Sequence, residues 1–159
     1  MDETEREDET PKERANRELI ELLNELRVVL PGVTVLLAFL LAVPFAKGWT
    51  RVTAFQRDVF VVAFLSTAVS VALLTAPSSY HRLRFRQGNK EHMVKVGNRL
   101  SIAGIAASAV SLEAVVLLVM DYVVSRGAAI VAAVGLFAVI ASLWYGLPLL
   151  AALRDRFAR

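Results

Sequence analysis

Glu113 stands near the middle of the long apolar stretch Leu100–Val124 and is the one charge deep inside it. A charged acid at the centre of a bilayer-crossing helix costs about 2.5–3.5 kcal/mol on insertion scales, so such residues face a bundle interior or a wet cavity. Two kinds of chemistry suit the position. The carboxyl can relay protons or cations, or it can be a neutral group joining helices through hydroxyls such as Ser66, Ser70 or Ser142.

A second set of polar residues falls at the ends of the apolar stretches. Glu25 and Arg27 precede the first, Tyr80, His81 and Arg82 follow the second, Asn98 and Arg99 precede the third, and Arg154 and Asp155 follow the fourth. Long basic side chains at such places anchor helix ends by reaching for the interface, and opposite charges there pair between helices. Arg82, Arg84 and Arg86 make a short basic run suited to anionic lipid headgroups. His81, with Tyr80 and Glu25, suggests acid–base work. No nucleophile, metal set or phosphate loop accompanies it: GxxxxGK, HExxH and GxSxG are all missing from the sequence. With no cysteine and two histidines, thiolate sites and histidine-rich metal sites are excluded. The expectation is a protein that is not an enzyme and has no metal or cofactor.

The elements that must position these residues are helices in lipid. The 159 residues are 56% hydrophobic with a mean hydropathy of +0.53. The apolar residues are gathered into four runs, about 28–46, 58–76, 100–124 and 128–153, each close to or above the ~20 residues that cross a hydrocarbon core. A soluble four-helix bundle needs a polar face on each helix. Val59–Ala76 offers only Ser66, Thr67, Ser70 and Thr75 and no charge, which excludes that reading. Thr53-Ala-Phe-Gln56 has the capping-box pattern and should start the second helix, and Pro77-Ser78-Ser79 should end it. Pro31 either kinks a continuous helix or marks its restart. Trp49 sits where an interfacial aromatic is expected. The Ser125-Arg126-Gly127 turn makes the third and fourth helices antiparallel neighbours. Small residues mark close-packing faces at Ser66 and Ser70, at Gly104, Ser108 and Ser111, and at Gly135, Ala138, Ser142 and Gly146.

Ahead of the runs, residues 1–18 carry eight acids and almost nothing apolar, the composition of a disordered acidic tail. It begins unlike a secretory signal, whose short start is basic. Leu19, Leu22, Leu23, Leu26 and Leu30 then recur at a helical period, opposite Glu18, Glu21 and Glu25. That amphipathic helix has an acidic polar face, which suits packing on the protein itself or on a partner better than on anionic lipid. The expected class is therefore an all-α integral membrane four-helix bundle, residues 19–159, with an N-terminal amphipathic helix and the tail 1–18.

Fourteen of the eighteen basic residues lie in the N-terminal segment, the middle connection and the C-terminus. Lys47, Arg51, Arg57 and Arg126 hold the other side. The positive-inside rule then puts both termini in the cytoplasm.

The strings Leu22-Leu-Asn-Glu-Leu-Arg-Val28, Phe39-Leu-Leu-Ala-Val-Pro-Phe45, Phe55-Gln-Arg57, Ala76-Pro-Ser-Ser-Tyr-His-Arg82 and Gly97-Asn-Arg99 resemble a family of small four-span membrane proteins of actinobacteria. The resemblance covers roughly residues 20–125. Members of that uncharacterised family sometimes carry the label sodium:proton antiporter, and no site residue follows from the resemblance. It implies a bacterial plasma-membrane protein. The expected role is a non-enzymatic accessory or scaffold protein that packs as a homo-oligomer. The alternative is a proton- or cation-translocating channel or antiporter subunit using Glu113. Expected partners are the bilayer, anionic lipids and further copies of the chain, with no nucleic acid.

Overall fold

The computed structural model describes residues 10–83, 90–147, 150 and 154. Among them the chain is all-α, with helices α1 Pro11–Ala42, α2 Ala54–Leu83, α3 Lys90–Val123 and α4 Arg126–Ile140. All four are long and apolar enough to cross a bilayer. Two compact units divide them. The first holds α1, the second half of α2 from Ser66 and the first half of α3 to Ser108; the second holds residues 43–65 and everything from Ala109.

In the first unit, α1 begins earlier than the acidic composition suggests. Thr10 and Glu13 form a capping box: the Thr10 N–H and hydroxyl donate to Glu13 Oε2 at 2.9 and 2.6 Å, and the Glu13 N–H donates to Thr10 Oγ1 at 3.4 Å. Arg14–Glu18 and Arg17–Glu21, at 3.0 and 3.1 Å, add pairs one turn apart. Residues 11–18 are therefore helical rather than tail, and the rest of the expected tail, residues 1–9, lies outside the described residues. The helix then runs through Pro31 without a break, so the amphipathic segment and the first apolar run are one element. An interior proline costs about 3 kcal/mol. Apolar contacts on both sides of Pro31 hold the axis: Leu22, Leu26, Val29, Leu30 and Val33 pack with Leu74 and Val71 of α2 and Ile105 of α3. The leucine stripe thus finds its partner within the chain.

Pro77 does not end α2, which continues to Leu83. The hydroxyls flanking Pro77 bond carbonyls of their own helix. Thr75 donates its hydroxyl to the carbonyls of Val71 and Ala72 at 2.8 and 3.1 Å, and Ser79 donates to the Thr75 carbonyl at 3.4 Å. Two glycines bring α3 close. A Cβ on Gly97 would lie 2.9 Å from Leu22 Cδ2, and one on Gly104 would lie 2.7 Å from Leu74 Cγ. That approach lets the Ser70 hydroxyl donate to the Gly104 carbonyl at 2.7 Å. With α2 and α3 extended, Arg82, Lys95 and Arg99 stand on helices, and residues 84–89, including Arg84 and Arg86, lie outside the described residues.

In the second unit, the connection from α1 to α2 folds into 3₁₀ turns at Val43–Phe45 and Trp49–Arg51. The expected Thr53–Gln56 cap is present: the Thr53 N–H donates to Gln56 Oε1 at 3.0 Å and the Gln56 N–H to Thr53 Oγ1 at 3.2 Å. Trp49 meets Phe60 edge to face, with ring centres 4.8 Å apart. Ser111 donates to the Ala63 carbonyl at 3.1 Å, tying α3 to α2. Ser125 caps α4 by accepting from the Ala128 N–H at 3.3 Å. A wide π-type turn, Ala141–Gly146, prolongs α4. Of Arg126–Ile140 only Ala129 and Ile140 are buried.

Candidate functional site

Glu113 lies in the second unit, half-buried on a stripe of α3 shared with Ala109, Val116 and Met120. The neighbouring face, Ser111, Ala114 and Leu118, is buried. Hence Glu113 sits at the margin of the packed face. Its Oε1 is buried and has no hydrogen-bond partner among the described residues. Two of the hydroxyls considered for it bond helix carbonyls. Ser142 is exposed on α4's prolongation and donates to the Ala138 carbonyl at 2.6 Å. Ser70 is buried in the first unit on the Gly104 carbonyl, and Ser66 is half-buried in that unit.

The expected charged layer also falls on helices. Glu25 and Arg27 are exposed on α1, Arg82 on α2, and Asn98 and Arg99 on α3, all in the first unit. Tyr80 is half-buried on α2, and His81 is in the same helix. Arg154 is helical and exposed, whereas Asp155 lies outside the described residues. Among the described residues no three His, Asp or Glu side chains come together to hold a metal.

One network has no counterpart in the motifs read from the sequence. Gln56, whose carbonyl oxygen caps α2, donates through Nε2 to Asp121 Oδ2 at 2.8 Å. Asp121 also takes Arg126, whose Nε bonds Oδ1 and whose second nitrogen reaches Oδ2 at 3.4 Å. The guanidinium lies 3.6 Å from the centre of the Phe55 ring, a cation–π contact. The Asp121 side chain is only 5% exposed, so its charge is enclosed by these donors. Arg126 needs such a partner, because a cation at the start of α4 opposes the helix dipole. Beside the network is an apolar pocket of about 280 Å³, formed by the 43–52 connection and the last turns of α3. An acid five residues before an arginine, at the end of an apolar run, was the available signal. What it pairs with on α2 was not.

The arrangement offers an acid with a buried oxygen that has no partner among the described residues, an ion network and an apolar pocket. No curated protein and no solved structure matches the chain. A match over residues 8–148 shows that the chain belongs to DUF6328, a family of unknown function.

Proposed function

We propose that this is a multi-pass protein of the bacterial plasma membrane that acts as a non-enzymatic scaffold by packing into a homo-oligomer. The observation that carries the reading is α4. Val131 and Phe137 are 73% and 65% exposed, and a Cβ on Gly135 would meet nothing within 4 Å. Lipid covers apolar side chains as well as another helix does, but an open small-residue edge favours backbone approach by a second helix. The distribution of basic residues supports cytoplasmic termini, and the three basic clusters support contact with anionic headgroups on that side. The test is the mass of the protein in lipid nanodiscs. A defined multimer that Gly135→Leu reduces to monomer supports the reading; a monomer in the native chain overturns it. Because the chain has no cysteine, single introduced cysteines report which side each connection faces.

A specific observation favours a second reading, proton or cation translocation through Glu113. A buried carboxyl oxygen without a partner supports a transient proton or cation there. Four helices enclose little space, so this reading also needs the oligomer. Proton or sodium flux into proteoliposomes that Glu113→Gln abolishes supports it. Equal flux, or none, in both chains counts against it.

A further inference from the structure

The pocket in the second unit is built differently from the rest of the surface. Val43, Ala46, Trp49 and Val52 line it from the α1–α2 connection, and Leu118 and Tyr122 from α3. Its walls are carbon almost throughout. Trp49 is held by its edge contact with Phe60, and the Tyr122 hydroxyl packs onto Gly48, where a Cβ would lie 2.6 Å away. An apolar cavity of about 150 Å³ stays dry and takes benzene. A pocket of about 280 Å³ accommodates a length of hydrocarbon, though not a whole lipid.

Two cations neighbour the lining residues in sequence. Lys47 stands between the lining residues Ala46 and Gly48, and Arg51 lies just before Val52; both are exposed. The nearest acid in sequence to the α3 wall, Asp121, is occupied by Gln56 and Arg126. The site therefore pairs an apolar slot with two available positive charges.

We infer that this pocket binds an anionic phospholipid, one acyl chain entering between Trp49 and Tyr122 while Lys47 and Arg51 meet the headgroup. The inference rests on the membrane reading above. It draws on residues other than Arg82, Arg84 and Arg86.

The test uses the full chain with Trp144→Phe, which leaves Trp49 as the single tryptophan. It is reconstituted into phosphatidylcholine vesicles. Increasing fractions of phosphatidylglycerol or phosphatidylcholine, with identical brominated chains, are then included to quench Trp49. Each surface cation contributes about fivefold to anionic lipid affinity. Half-maximal quenching is therefore expected at a phosphatidylglycerol fraction at least about fivefold lower than for phosphatidylcholine. Lys47→Gln with Arg51→Gln removes the preference, and Ala46→Phe, which fills the slot, weakens quenching by both lipids. Equal half-points in the native pocket, or a preference that survives both variants, means boundary lipid alone and overturns the inference. Co-flotation with the vesicles is scored separately: a chain that does not float overturns the membrane reading itself.

Discussion

The side-chain amide of Gln56 donates to Asp121 at 2.8 Å across 65 residues of sequence, while its carbonyl oxygen accepts the Thr53 N–H at 3.0 Å. One side chain therefore starts α2 and satisfies the acid at the end of α3. Gln56→Ala loses both, and unfolding in detergent should show a loss of about 1–3 kcal/mol. Gln56→Glu keeps an acceptor for the cap but turns a carboxylate toward Asp121, so it should also destabilise. A Glu variant as stable as the native chain would show that the Asp121 contact contributes nothing.

Glycines 104 and 135 should respond unequally to the same methyl group. At Gly104 the added Cβ meets Leu74, which is fully buried, at 2.7 Å. Gly104→Ala is expected to cost about 1–3 kcal/mol. Gly135→Ala meets nothing and should stay within about 0.5 kcal/mol of native. Thermal unfolding of both variants in one detergent makes the comparison.

Ser111 bonds the Ala63 carbonyl from a fully buried position. Interhelical hydrogen bonds in lipid average about 0.6 kcal/mol, so Ser111→Ala should cost little. Ser111→Leu should cost several times more, since there is no room for the added carbons. Similar losses for the two variants would place the contribution in the hydroxyl and not in the fit.

Glu113→Leu removes the buried oxygen that has no partner among the described residues. An unsatisfied buried polar atom costs about 1–3 kcal/mol, and the leucine variant should be more stable by an amount in that range. Unfolding of the monomer in detergent checks it. A destabilised variant would reveal a partner for the carboxyl.

The start of α1 should fray in acid. Hydrogen bonds from the Thr10 hydroxyl and then the Thr10 backbone hold the Glu13 carboxyl below its ordinary value. A depressed acid stabilises the folded form above its unfolded pKa, and that contribution is lost as pH falls through the lower folded value. Protection of the amides of residues 13–16, measured against their intrinsic exchange rates, should therefore fall on acidification. Thr10→Ala should exchange faster at neutral pH and show less of this dependence.

Helix number and class were legible because runs such as Val59–Ala76 carry no charge, and the Thr53–Gln56 cap because it is local. The choice between a kink and a restart at Pro31, and the passage of α2 through Pro77, were not. A proline's local cost is visible in sequence, whereas the packing of Leu22, Leu26 and Leu74 that holds α1 through Pro31 depends on the fold. The facing of Glu113 was equally hidden. In these helices exposed positions are as apolar as buried ones, and the fully buried side chains include Thr67, Ser70 and Ser111. Hydropathy therefore cannot tell inside from outside. Asp121 was read as part of an apolar run because its partner Gln56 lies on another helix.

The passage of α1 through Pro31 has a geometric consequence. A helix of 32 residues is about 48 Å long at ~1.5 Å per residue, against a hydrocarbon layer of about 30 Å. The charged stretch around Arg14 to Glu25 and the apolar stretch after Val33 belong to one continuous helix. Leu22 and Leu26, packed with Leu74, fix the charged half of that helix against α2, so the placement of the charged half and of the apolar half is set together.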